Sequence, residues 1–169
     1  MKKIVILLIC LLLLVGCDNK KQLVLSTEAG FAPYEYYSNG EIVGVDIDIA
    51  KKIAERLNMD LVIKDVAFDS IISEVKTGKS DIGAAGISYT EERNKEVDFT
   101  INYFESKQVV IVNNDSFIQS LNDLNNIRVA VQLGSVADSC LTENYPNVEV
   151  IREKKFLAAI QDLKDNKII

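Results

Sequence analysis

The feature that most constrains the fold is an alternation of strand-like and helix-like hydrophobic patterns in the first half of the chain. Three short apolar or β-branched runs predict strands: Leu23–Leu25, Asp60–Val66 and Ile82–Ala85. Two amphipathic segments between them predict helices, from about Val45 to about Leu57 and over Phe68–Thr77. Strands that alternate with helices pair in parallel beneath a helical layer. We therefore predict an α/β fold built on a parallel sheet.

A hairpin, an apolar stripe and a ligand-binding rim are predicted within this first unit. The pair Asn39-Gly40, between two β-prone runs, predicts a β-hairpin. The first long helix should bury one stripe of side chains: Ile49, Ala50, Ile53, Ala54 and Leu57. Ligands of parallel sheets bind beyond the carboxyl ends of the strands. Four residues follow predicted strands directly and should meet there: Phe31, Phe68, Gly86 and Ser88.

The second half of the chain also has a βα pattern. Glu105–Val112 predicts a long strand with no covering helix before it, so this strand can cross to a second lobe. Two more strands are predicted, each followed by a helix: Arg128–Val131 with a helix to about Glu143, and Val148–Ile151 with a helix over Phe156 to about Lys164. The predicted first lobe is residues 23–107 and the second is residues 108–169.

The N-terminus reads as a targeting segment. A positive start, Met1-Lys2-Lys3, precedes an apolar run that is too short to span a bilayer comfortably. The run ends in L-V-G-C, which resembles a bacterial lipobox. Residues 1–16 are thus a predicted lipoprotein signal peptide, Cys17 the lipidated first residue and residues 17–22 a tether. The alternative is a plain signal peptide followed by an incidental cysteine.

Composition excludes several classes of function. The chain has no histidine, which removes Ser-His-Asp and Cys-His catalysis and the commonest zinc ligand. Its net charge of −6 argues against a nucleic-acid partner. We expect no metal and no cofactor. Once the signal peptide leaves, Cys140 is the only thiol besides Cys17, and we interpret it as a small packed residue.

The stretch Asp81–Tyr103 carries the strongest functional pattern. A short apolar strand runs into a glycine turn, and Thr90 then predicts a helix N-cap with acidic residues in the first turn. Arg93 follows one turn later. Oriented backbone N–H groups and a guanidinium that lie close together can bind a small carboxylate, because both donate hydrogen bonds to it. The alternative is that Arg93 forms an exposed ion pair with a neighbouring glutamate: Glu91, Glu92 or Glu96.

This stretch resembles the signature of family 3 extracellular solute-binding proteins, the amino-acid receptors of ABC importers. The shared pattern is D-[IL]-[AG]-x-A-G-[IL]-[ST]-x-T-x-E-R, followed by V-D-F-[ST] and a tyrosine. F-A-P-Y-E-Y, G-V-D-I-D-I-A and V-A-V-Q-L-G-S-V resemble further segments of the family, so the likeness covers about Leu23 to Ile169. It implies a periplasmic-binding-protein-like type II fold, with two βα lobes joined by a hinge.

The resemblance also implies a ligand site at nine residues. Arg93 should bind the carboxylate with the N–H groups of Ser88 and Val136, while the Gly86 carbonyl and the Ser88 hydroxyl accept from the ammonium. Phe31 and Phe68 should enclose the ligand's side chain, which Glu28 would select to be basic. Gln132 and Ser135 lie in the second-lobe turn. Each of these residues could instead have an ordinary structural role. The alternatives are core packing for Phe31 and Phe68, a solvated charge for Glu28, and turn or cap roles for Gln132 and Ser135.

The expected function is a non-catalytic, monomeric receptor, lipid-anchored in the cell envelope, that delivers an amino acid to a permease. A dehydratase of arogenate-like acids on the same fold is one alternative, and a truncated, non-functional lipoprotein is another. Relatives continue with a D-A-v-x-x-D motif whose aspartate binds the ligand ammonium, whereas this sequence ends at Ile169. We therefore expect an incomplete, loose second lobe and weak amino-acid binding.

Overall fold

The computed structural model describes residues 20–168. Cys17 and the predicted signal peptide lie outside these residues. The first half contains β1 (Gln22–Thr27), β2 (Gly30–Phe31), β3 (Glu35–Ser38), β4 (Glu41–Val43), α1 (Val45–Leu57), β5 (Asp60–Asp65), a 3-10 turn (Phe68–Ser70), α2 (Ile71–Lys76), β6 (Ile82–Gly83) and α3 (Glu91–Asn94). The second half contains a 3-10 turn (Leu121–Leu124), β7 (Arg128–Gln132), α4 (Val136–Asn144), β8 (Glu149–Glu153) and α5 (Phe156–Lys164). Within residues 20–168 no helix is long and apolar enough to cross a membrane.

A parallel sheet of order β5-β1-β6 forms the centre of the first half. β1 pairs with β5 from Gln22 opposite Asp60 to Thr27 opposite Asp65, and with β6 at Leu25 and Ser26. The intervening α1 and α2 are the crossover connections that parallel pairing requires. Leu25 is fully buried in this sheet and packs with residues of α1. The predicted parallel α/β arrangement is confirmed.

An antiparallel sheet of order β2-β3-β4 lies next in the chain. Its β3–β4 hairpin turns at Asn39 and Gly40, whose φ angles are 52° and 85°. Positive φ at both central residues is the geometry that matches the twist of the two strands, and Asn-Gly is the pair that adopts it most readily. The predicted hairpin is confirmed.

The face that α1 buries differs from the predicted apolar stripe. Ala50 and Ala54 are buried as expected, but Ile49 and Ile53 are each 36% exposed and Leu57 is 56% exposed. The buried face instead begins with Asp46 and Ile47. Asp46 is drawn inward because its carboxylate accepts hydrogen bonds from the Tyr103 hydroxyl (2.8 Å) and the Gly86 N–H (2.9 Å).

The second half is built around β7 and β8, which pair in parallel from Arg128 opposite Glu149 to Gln132 opposite Glu153. Leu124, Val129, Val131 and Leu141 are at the centre of its apolar core. α4 connects the two strands and α5 follows β8, as the sequence predicts.

Two predictions for this half are wrong. Glu105–Val112 is not a strand, because no neighbouring strand in the described part of the chain forms a ladder with it, and Val109 is 77% exposed. Cys140 is not packed in the core, because it is exposed.

Candidate functional site

A cavity of about 430 Å³ is lined by residues of both halves of the molecule. All nine predicted ligand residues line it: Glu28, Phe31, Phe68, Gly86, Ser88, Arg93, Gln132, Ser135 and Val136. The residues that follow the parallel strands of the first half therefore meet at one rim, as the topology predicts. The second half closes the other side of the same cavity.

Arg93 spans the two halves at one end of the cavity. Its backbone N–H donates to Thr90 Oγ1 (3.2 Å), so Thr90 is the predicted N-cap of α3. The guanidinium donates from Nη1 to the Ser88 carbonyl (2.7 Å) and from Nη2 to the Gly134 carbonyl (2.9 Å). It also lies 5.7 Å from the centroid of the Phe68 ring. Desolvation lowers the pKa of Arg93, yet a guanidinium remains charged in proteins.

The exposed ion pair considered for Arg93 is not formed. Within residues 20–168, Arg93 makes no salt bridge to any of the three nearby glutamates. Glu96 pairs instead with Lys76, and Glu91 accepts from the Tyr89 hydroxyl at 3.0 Å. Within the described residues, the half-buried guanidinium donates hydrogen bonds only to backbone carbonyls, which a carboxylate can replace as acceptors.

The turn that faces Arg93 from the second half is held by Asp138. Its Oδ2 accepts from the Gly134 N–H (3.1 Å), and its Oδ1 accepts from Arg152 Nε (2.9 Å). Ser135 caps α4 by accepting from the Asp138 N–H (3.2 Å), so the cap role considered for it is observed. Gly134 has a φ of 74°, which favours glycine. Val136 is the first residue of α4, and the backbone N–H groups of a helix's first turn attract anions.

Glu28 makes a second part of the site acidic, and we call this part the acidic end. It is 1% exposed, so the solvated charge considered for it is wrong. Gln132 Nε2 donates to Glu28 Oε2 (3.1 Å), and Lys155 Nζ lies 3.5 Å from Oε1. Burial raises the pKa of Glu28, whereas the charge of Lys155 lowers it. Gln132 therefore does more than form a turn: it joins the two halves across the cavity.

Aromatic rings line the middle of the cavity. Phe31 is 36% exposed, so it is not a core residue; its ring stacks on Tyr34 at 5.6 Å and meets Phe156 edge-on at 5.4 Å. Gly86 makes room for this ring, because a Cβ at Gly86 would lie 3.3 Å from a Phe31 ring carbon. The φ of 55° at Gly86 likewise favours glycine.

Two buried acidic residues beside the cavity were not predicted from the sequence. Glu35, which lines the cavity, is 1% exposed, and Asp46 is fully buried. Burial, followed by the charge of Asp46, raises the pKa of Glu35 to about 10. Glu35 Oε2 has no hydrogen-bond partner in the part of the chain that the structure describes. The only signal for Glu35 is its position between tyrosines in F-A-P-Y-E-Y.

Lys155 and Phe156 were also missed, although a usable signal existed. Both follow the end of β8 with only Lys154 in between, so they are near the rim position that identified Phe31, Phe68, Gly86 and Ser88 in the first half. Applying the strand-end rule to both halves of the chain would have found them.

Known proteins are similar to this chain along most of its length. The family described as bacterial extracellular solute-binding proteins, family 3, matches residues 23–168. The arginine-binding extracellular protein ArtP of Bacillus subtilis (strain 168) is 36% identical over 121 residues, which are 72% of this chain and 48% of ArtP. The ABC transporter arginine-binding protein 1 of Escherichia coli (strain K12) is 30% identical over 169 residues, covering 99% of this chain and 69% of that protein.

A solved structure is similar along most of the chain. An ancestral arginine-binding protein bound to glutamine superposes with a TM-score of 0.83 and 39% identity, covering 88% of this chain and 67% of that one. This chain thus spans about two thirds of the solved relative and about half of ArtP. These relatives are named for binding and not for catalysis. The chain therefore belongs to family 3 of the bacterial extracellular solute-binding proteins and has their periplasmic-binding-protein-like fold.

Proposed function

We propose that this protein binds a free amino acid in the 430 Å³ cavity and delivers it to the membrane permease of an ABC importer. The observation that carries the proposal is the position of Arg93. Its half-buried guanidinium donates to a carbonyl of each half, those of Ser88 and Gly134. A ligand carboxylate entering the cavity can exchange with these neutral acceptors and form stronger, charge-assisted hydrogen bonds.

The remaining residues have complementary roles in this proposal. The ligand carboxylate receives the Arg93 fork and the N–H groups of Ser88 and Val136, the latter at the positive end of α4. The ammonium donates to the Gly86 carbonyl and the Ser88 hydroxyl. Phe31 and Phe68 then enclose the ligand's side chain, and a cationic side chain gains attraction to their faces.

The buried Glu28 favours a polar ligand and particularly a basic one, since its carboxylate is at the acidic end of the cavity. Two relatives named as arginine-binding and a third bound to glutamine are consistent with a ligand that has a long polar side chain. Binding without catalysis is the simpler proposal. The buried Glu28 already accepts a hydrogen bond from Gln132 and lies 3.5 Å from the Lys155 ammonium.

A thermal-shift screen over the common amino acids tests the proposal. A ligand present at a hundred times its Kd stabilises the native state by about 2.7 kcal/mol, which raises Tm by roughly 5–10 °C for a chain of this size. Agmatine, which is arginine without the carboxylate, is the matched control and should give little or no shift. If no amino acid raises Tm, or if agmatine acts as well as arginine, carboxylate capture by Arg93 is wrong.

We also propose that the protein is held at the outer face of a bacterial membrane by a lipid on Cys17. The L-V-G-C sequence after an apolar run supports this proposal. Replacing Cys17 by serine should move the protein from the membrane pellet to the soluble fraction, because the acyl anchor is lost. Metabolic labelling with a tagged fatty acid should mark the wild type and not Cys17→Ser. An unlabelled wild type, or a variant that stays in the pellet, would contradict the anchor.

A further inference from the structure

Lys155 joins the two halves of the molecule at the acidic end of the cavity. It lies between β8 and α5 of the second half, and its Nζ is 3.1 Å from Asp65 Oδ2 and 3.5 Å from Glu28 Oε1 of the first half. Among the salt bridges within residues 20–168, these are the two that connect the first half to the second. An ammonium of the protein itself thus lies beside the buried carboxylate of Glu28, which lines the cavity.

The two carboxylates are held in place by other groups. Asp65 ends β5 opposite Thr27, and its carboxylate accepts from the Ala29 N–H (3.1 Å) and the Tyr37 hydroxyl (3.2 Å). Glu28 follows the end of β1 and accepts from Gln132. The acids are therefore fixed, whereas the Lys155 side chain is 49% exposed and can turn into solvent.

The acidic end is only partly neutralised by this lysine. Two carboxylates face one ammonium, which leaves a net negative charge. Glu28 Oε1 is buried and has no hydrogen-bond partner in the described residues, although Lys155 Nζ is 3.5 Å away. A buried acceptor without a donor is costly, so a donor from a ligand would be stabilised there.

We propose that Lys155 determines how strongly this site prefers cationic over neutral amino-acid side chains. This inference rests on the proposed function. A ligand guanidinium or ammonium that reaches Glu28 meets the like charge of Lys155 and must share the carboxylates or displace the lysine into solvent. A neutral side chain such as that of glutamine binds with the Lys155 ion pairs intact. The lysine thus lowers selectivity for basic ligands without abolishing it.

Exchanging Lys155 for methionine, which has a similar length and no charge, tests this role. Calorimetric titration with arginine and with glutamine gives the ratio of the two Kd values. We expect the preference for arginine over glutamine to rise roughly tenfold in Lys155→Met, which is the scale of one charge-assisted contact. Lys154→Met is the matched control: it removes the neighbouring exposed charge and should leave the ratio unchanged. Lys155→Arg, which keeps the cation, should stay near the wild-type ratio.

The outcomes separate this inference from the proposed function. If the wild type binds no amino acid, the proposed function is wrong and this inference is wrong with it. If the wild type binds and Lys155→Met has the wild-type ratio, or the same change as Lys154→Met, only the role of Lys155 is wrong. A ligand-free readout checks the contact itself: carbon-detected NMR titration should give a higher pKa for Glu28 in Lys155→Met, because the charge that lowers it is gone. An unchanged pKa of Glu28 would also overturn the inference.

Discussion

Replacing Arg93 by alanine should weaken amino-acid binding roughly tenfold to more than a hundredfold, since a charge-assisted hydrogen bond contributes about 1.5–3 kcal/mol. Arg93→Lys should be nearly as damaging. The guanidinium presents two N–H donors at once, to the Ser88 and Gly134 carbonyls, and an ammonium cannot reproduce this planar fork. Titration calorimetry with the best ligand of the thermal-shift screen measures both variants.

The control for Arg93 is Arg56→Ala. Arg56 is exposed in the last turn of α1, outside the cavity, and its loss changes the net charge equally. Affinity should stay within about twofold of the wild type, because exposed charges far from a ligand contribute little. Wild-type affinity in Arg93→Ala, or an equal loss in Arg56→Ala, would show that Arg93 does not bind the carboxylate.

The second large effect concerns stability and pH. Glu35 has a pKa raised from 4.5 to about 10 by burial and by Asp46, so it is protonated in the native protein and ionised in the unfolded chain at neutral pH. Unfolding then releases a proton. Stability that depends on this group is therefore present below about pH 4.5 and is lost as pH rises towards 10, at up to about 1.4 kcal/mol per pH unit.

Glu35→Gln should remove this pH dependence, because glutamine resembles the neutral carboxyl in shape and does not titrate. Between pH 6 and pH 8 the wild type should lose about 2–3 kcal/mol more of its free energy of unfolding than the variant does. Urea unfolding at several pH values measures the difference. Glu41→Gln, at an exposed position of the β3–β4 hairpin, should have the wild-type slope. Parallel curves for the wild type and Glu35→Gln would mean that Glu35 is ionised in the native protein.

Local rules explain the part of the fold that was predicted correctly. The Asn39-Gly40 hairpin, the Thr90 cap and the bounds of α1 each depend on neighbours within a few residues. The residues that line the cavity were predicted by one topological rule, that parallel strands end at the same edge, together with the resemblance carried by Asp81–Tyr103. The local rules, the strand-end rule and the family motif can all be recognised in short stretches of sequence.

The failures depend on partners that are distant in the sequence. The buried face of α1 is set by Asp46, whose partners Gly86 and Tyr103 lie 40 and 57 residues away. Periodicity alone favoured the exposed Ile49 and Ile53. Glu105–Val112 has the composition of a strand, but a strand also needs an edge to pair with, and no described strand provides one. The local sequence indicates the propensity of a segment to form a strand or helix. Strand pairing and side-chain burial depend on residues elsewhere in the molecule.

The hydrogen bond from Arg93 to the Gly134 carbonyl has a kinetic consequence. The Arg93 guanidinium, which should bind the ligand carboxylate, already bridges the two halves. The hydrogen bond from Gln132 to Glu28 is a second bridge across the same cavity. Under the proposed function, a ligand that takes over the Arg93 donors must break the Arg93 bridge, so we expect binding and release to require that the two halves separate. Association should then be slower than diffusion allows, and the bound molecule should stay longer.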